Sequence, residues 1–226
     1  MFTILARLVA DTAFIAILLF SAAGTLDWGR AWLLLGVMLV VRVAGAIAVY
    51  RVSPALLRER AHLPIHRDQP PADKRLLLAV LLTGFIALPI LAGLDVHRWH
   101  LLSRPAPAVT YLGFVVFALG WGLKSLALRA NAFATSVVRL QTERQHAVAD
   151  TGAYAIVRHP FYVGTVMVFV GMTLWLASYA AAIFAVVPIL FVLFRITMEE
   201  RFLRRGLPGY DRYAARVPYR LIPGIW

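Results

Sequence analysis

Six apolar runs, at about 12–26, 31–50, 76–94, 109–128, 161–177 and 180–197, constrain this chain more than any other feature. A helix needs roughly 20 residues to cross the hydrocarbon core of a bilayer, and these runs approach or reach that length. The pattern predicts an all-α fold: a polytopic transmembrane helical bundle of about six spans, ending in a C-terminal helical hairpin. The first run and the last pair are short, which leaves room for tilt or partial insertion. A content of 61% hydrophobic residues excludes an ordinary soluble domain. No repeat or low-complexity tract divides the sequence, so residues 1–226 are read as a single integral membrane domain.

The net charge of +12 would suggest nucleic acid in a soluble protein. Here the basic residues sit in loops between apolar runs, so membrane lipids with anionic headgroups are the expected counter-charge and nucleic acid is not. Eighteen Lys and Arg fall on one side of the bundle, most of them at 51–75, 129–158 and from Arg195 onward, against Arg30, Arg98 and Arg104 on the other. That asymmetry places both termini in the cytoplasm. Residues 1–24 also imitate a signal peptide, but a second apolar run follows at once and the segment is expected to be retained. With no cysteine, disulfides, thiolate nucleophiles and Cys-based metal sites are excluded.

Several isolated features have plain explanations. His62 and His66 have the spacing of a metal pair, but Pro64 between them opposes the helix that spacing needs, so no metal is expected. His97 and His100 flank Trp99 in the sparse loop and suit an interfacial belt. Pro89 and Pro188 interrupt apolar runs and can kink their helices. Arg42 and Lys124 are charges within spans, which normally face a partner or a water-filled cavity. Lining a site and, for Lys124, snorkelling outward are both open.

The densest polar chemistry lies in Gly152-Ala-Tyr154-Ala-Ile-Val-Arg158-His159-Pro160-Phe161-Tyr162-Val-Gly164 and, after the next two apolar runs, in Glu199-Glu200. A hairpin turning near Ser178 would return the glutamates to the face that carries Arg158 and His159. Pro160 suits the first turn of a helix, whose free N–H groups and positive end favour an anion. His159 and Tyr162 share a face there, as do Arg195 and Glu199. An anion receptor, carboxylates and aromatic rings fit a zwitterionic cofactor such as S-adenosyl-L-methionine. An interfacial belt, with Arg195 paired to Glu199, accounts for the same residues.

The runs QHAVADTGAYAIVRHPFYVG, RITMEERFL and GYDRYAARVPYRLIP resemble the isoprenylcysteine carboxyl methyltransferase family and its phospholipid-methyltransferase relatives, over roughly 129–223. The resemblance implies an integral membrane enzyme that binds S-adenosyl-L-methionine on the cytoplasmic side and receives a lipid-like or prenylated acceptor laterally. By motif position it implies cofactor contacts from His146, Ala147, Val148, Tyr154, Arg158, His159, Pro160, Tyr162 and Glu199, with Gln141 beside Arg139, where the family has a glutamine. It implies Arg195 near the acceptor, with Glu200 as second member of the acidic pair.

The reaction expected is methyl transfer, most simply carboxyl O-methylation of the isoprenylcysteine type. A carboxylate acceptor needs no general base and Arg195 can orient it; an amine, as in phospholipid N-methylation, would need Glu200 or His159 to take a proton. An NADPH-dependent membrane reductase and a non-catalytic scaffold are the rival classes.

Overall fold

A computed structural model describes residues 1–61, 69–135, 141 and 145–226. His62, His66, Arg139 and Glu143 lie outside these residues. The described chain is helical, with no strand. In chain order it comprises α1 (Phe2–Ala23), α2 (Gly29–Val52), the short α3 (Pro54–Ala61), α4 (Pro71–Trp99), α5 (Pro107–Ala130), α6 (Pro160–Trp175), α7 (Tyr179–Gly206) and α8 (Tyr210–Arg216).

Each apolar run occupies its own helix. Among the described residues, α1, α2, α4, α5 and α7 are long and apolar enough to cross a membrane. The sixth, α6, has 16 residues and is about 24 Å long at helical rise, short of the ~30 Å hydrocarbon thickness. The chain is a multi-pass membrane protein of the expected class. The first helix begins at Phe2 rather than near residue 12, because its Asp11 is offset within the bundle by Arg42 of α2, whose guanidinium donates at 2.6 Å. Gly24 ends α1 with φ +75°, a left-handed conformation that disfavours a side chain.

Both intrahelical prolines leave a mark. Pro89 cannot donate to the carbonyl four residues back, and the stretch just before it, Leu81–Ala87, adopts wider π-helical turns. Pro188 likewise leaves the carbonyl of Phe184 without its helical donor, and α7 is interrupted at Ala185. The hairpin turn between α6 and α7 is closed by Ser178. Its hydroxyl accepts from the Ala181 amide at 3.0 Å and donates to the Asp95 carboxylate of α4 at 2.6 Å, a partner not evident from sequence.

The tightest helix pair is α5 against α6, and glycines allow it. Gly113 faces the Gly171 end of α6 and Gly120 faces Gly164, so the helices run antiparallel with both contacts spaced seven residues apart. A Cβ on Gly171 would lie 2.4 Å from the Phe117 backbone nitrogen, and one on Gly164 would lie 2.6 Å from the Gly120 carbonyl oxygen. Close backbone approach through small residues gives membrane helices the packing that the hydrophobic effect does not supply there. This pair, with α4 and α7 behind it, fixes the position of the α6 N-terminus.

Candidate active site

Pro160 is the first residue of α6, as its lack of an N–H favours, and His159 precedes the helix. The amides just ahead of it are not open to an anion: Arg158 N–H donates to the Tyr219 carbonyl at 2.9 Å and His159 N–H to that of Arg220 at 3.0 Å. The C-terminal segment therefore clasps the entrance to α6.

Glu200 is the centre of that clasp. It is 2% exposed. One carboxylate oxygen accepts from Arg158 Nε at 2.6 Å and lies 3.2 Å from His159 Nε2, while the other accepts from Arg220 Nε at 2.8 Å. Arg158 Nη1 donates to the carbonyls of Val217 and Pro218, at 2.8 and 2.7 Å. Burying such charges is tolerated because each is paired and hydrogen-bonded. The expected hairpin thus returns the glutamates to Arg158 and His159, but Glu200 holds the wall from behind.

In front of this clasp lies a polar cavity of about 110 Å³. Its walls include His146, Ala147, Val148, Tyr154, Arg158, His159, Tyr162, Arg195 and Glu199. Gln141, Pro160 and Glu200 are not among them; Gln141 is fully buried and donates its amide to the Phe133 carbonyl at 2.8 Å. Tyr162 O–H donates to Glu199 at 2.7 Å, and the His146 ring stacks on Phe133 with centroids 4.6 Å apart. Arg195 does not follow the expected pairing with Glu199: its Nε donates at 2.8 Å to Asp73 of α4, a residue with no exposure that also accepts from Gln69 at 2.6 Å.

Among the wall residues that sequence reasoning missed are Arg60, Phe133, Tyr210 and Tyr213. The Tyr210 hydroxyl is buried with no hydrogen-bond partner among the described residues, while that of Tyr213 donates to the Tyr154 carbonyl at 2.8 Å. Burial pushes the Tyr154 phenol up to about 12, against an opposing hydrogen bond from Asn131, and raises Tyr210 and Tyr213 well above the usual tyrosine range. All three therefore remain protonated donors at neutral pH. The signal that could have found Tyr210 and Tyr213 was the phenol pair in the GYDRY motif.

A second, mostly apolar cavity of about 550 Å³ opens between α1, α2, α3, α4, α5, α6 and α7. Arg42 and Lys124 line it, and Lys124 is 7% exposed, so it does not snorkel outward. Arg60, Thr135, Phe161, Tyr162 and Arg195 wall both cavities. One side of this shared wall is rich in phenols and a carboxylate, the other in aliphatic and aromatic surface.

Residues 108–208 match the family described as phospholipid methyltransferase. Protein-S-isoprenylcysteine O-methyltransferase B of Arabidopsis thaliana is 33% identical over 129 residues, covering 56% of this chain and 61% of the relative. A probable protein-S-isoprenylcysteine O-methyltransferase of Oryza sativa subsp. japonica is 34% identical over 112 residues, covering 48% and 59%. The chain thus spans about three fifths of the length of these curated relatives. The solved structure of the eukaryotic intramembrane Ras methyltransferase, isoprenylcysteine carboxyl methyltransferase, matches with a TM-score of 0.56 at 21% identity, covering 94% of this chain and 75% of that one. At that identity the likeness is one of fold. The matched stretch carries Lys124, His159, Tyr162, Arg195 and Glu199, whereas Arg60, Tyr210 and Tyr213 contribute to the walls from outside it.

Proposed function

We propose that this chain is a methyltransferase that binds S-adenosyl-L-methionine in the polar cavity and methylates the carboxylate of an isoprenylcysteine-type, lipid-like acceptor held in the larger one. The observation that carries this reading is the shared wall: Tyr162, Phe161 and Arg195 border both cavities, so a polar donor and an apolar acceptor would meet there.

The residues present suit the cofactor. Glu199 offers a carboxylate to a cationic or hydroxyl group, the rings of Phe133, Tyr154 and Tyr213 offer apolar faces, and the Tyr210 hydroxyl is a buried donor without an acceptor. S-adenosyl-L-methionine, when bound, supplies an activated methyl group. The protein's own contribution is alignment and exclusion of water, an effect worth several kcal/mol at least. Tyr162 fixes the Glu199 carboxylate, and Asp73 fixes the Arg195 guanidinium, which orients the acceptor carboxylate. A carboxylate gives up no proton, so no general base is needed. Glu200, saturated by its three partners, acts as a positioning residue for the α6 entrance.

In the same reading residues 129–223 form the cofactor-binding core of one domain, and both termini and the polar cavity face the cytoplasm, by the charge asymmetry. The test is incubation of purified protein with methyl-labelled S-adenosyl-L-methionine and S-farnesylcysteine. Label in a methyl ester supports the reading, and label in a phospholipid amine or none at all contradicts it.

A further inference from the structure

Lys124 sits on the cytoplasm-proximal half of α5 by the same charge rule, buried in the wall of the larger cavity. Its hydrogen bond is with the Thr165 hydroxyl, at 3.2 Å. Its ammonium lies 4.6 Å from the Phe161 ring centroid, 4.7 Å from that of Trp121 and 5.7 Å from that of Phe85. Among the described residues no carboxylate comes within ion-pair distance of it. Among the described residues the one acid in the wall of this cavity, Asp11, is paired with Arg42. Aromatic faces offset part of the cost of burying an ammonium, but an unpaired charge within a membrane span is expensive and marks a site that a ligand completes. A second donor in the same wall has the same deficit: among the described residues the buried Trp121 indole N–H has no acceptor.

Two donors, one of them cationic, therefore share a wall that provides neither of them an acidic partner. We propose that Lys124 and the Trp121 indole form an anion-reading subsite inside the larger cavity, which selects amphiphiles with an acidic head over those with a neutral or amine head. It rests on the reading of that cavity as the acceptor's. The position of Phe161 supports it: this ring walls both cavities and carries Lys124 on one contact and Arg60, at 5.0 Å, on another, so an acidic head at the junction is surrounded by positive charge. The ammonium of a phospholipid amine, the group that would have to reach the junction to be methylated, would meet the same cations with repulsion. The head read here is the acceptor's carboxylate, and a resident anionic phospholipid is the competing source of the same chemistry.

The test is equilibrium binding of S-farnesylcysteine and of its primary carboxamide to the full-length protein in neutral detergent, for wild type, Lys124→Gln and Lys124→Arg, with and without phosphatidylglycerol. Wild type is expected to bind the acid about tenfold more tightly than the amide, as a buried charge-assisted hydrogen bond implies. Lys124→Gln is expected to lose that preference while holding the amide within about twofold, a neutral hydrogen bond being worth little. Lys124→Arg, which keeps the charge, is expected to retain the preference, and melting temperatures identify a variant that has failed to fold. An undiminished preference in folded Lys124→Gln overturns this subsite alone. Binding of neither compound by wild type overturns it together with the acceptor reading. Displacement of the acid by phosphatidylglycerol in wild type but not in Lys124→Gln overturns the carboxylate assignment in favour of a lipid phosphate.

Discussion

Tyr162, on the first turn of α6, donates its phenolic proton to Glu199 of α7 at 2.7 Å, joining the two helices of the C-terminal hairpin at the cavity they enclose. The pair lies 37 residues apart in sequence, and a turn at Ser178 brings it together. Removing the phenol frees the carboxylate to adopt other rotamers while leaving its charge in place. Tyr162→Phe is therefore expected to weaken S-adenosyl-L-methionine binding by about tenfold, as loss of one charged hydrogen bond implies. Isothermal titration on the detergent-solubilised protein measures this, and an unchanged affinity would place Glu199 outside the cofactor contacts.

Glu200 calls for a different outcome. Truncating it leaves Arg158 buried and His159 and Arg220 without their shared acceptor. Glu200→Ala should destabilise the fold by about 3 kcal/mol or more, the usual cost of breaking a buried pair from one side. Thermal unfolding reads this directly. If the variant melts like wild type yet transfers no methyl group, Glu200 acts in the chemistry and its assignment as a positioning residue is wrong.

Tyr210 separates binding from stability in the opposite sense. Its hydroxyl is buried with no partner among the described residues, so Tyr210→Phe removes an unsatisfied donor and should leave the ligand-free protein as stable as before, or up to about 1 kcal/mol more so. The same change should weaken binding of S-adenosyl-L-methionine several-fold. Melting curves with and without the ligand test both halves: the ligand-induced shift should shrink while the ligand-free melting point holds or rises.

The glycine contacts between α5 and α6 give a packing prediction. A methyl group on Gly171 would meet the Phe117 backbone at 2.4 Å, and backbone cannot step aside as a flexible side chain can. Gly171→Ala is expected to cost about 1–3 kcal/mol, as overpacking does. Gly122 has nothing within 4 Å of the corresponding position, so Gly122→Ala is the matched control and should be close to neutral in the same unfolding assay.

Much of this was legible from local sequence. Apolar run length located the helices, Pro160 marked the start of α6, and the spacing of Arg158-His159 from Glu199-Glu200 across a short turn put both ends on one face. The two glutamates could not be told apart that way, since adjacent residues on a helix point in different directions and only the packing of the C-terminal segment decides which is clasped. Asp73 lies 122 residues from Arg195, beyond any periodicity, and Arg220 reaches Glu200 through an irregular segment with no repeating pattern. The first helix was placed too late because its charged residues look foreign to a span until Arg42 is seen opposite Asp11.

The most direct test of the account is the chemical nature of the transferred methyl. Purified protein given methyl-labelled S-adenosyl-L-methionine, S-farnesylcysteine and a membrane-lipid extract should place the label on the prenylated cysteine as an ester, released as methanol by mild base, and Arg195→Ala should abolish the transfer. Base-stable label on lipid amines, or ester formation undiminished in Arg195→Ala, would contradict the meeting of donor and acid acceptor at the wall that Tyr162 and Arg195 share.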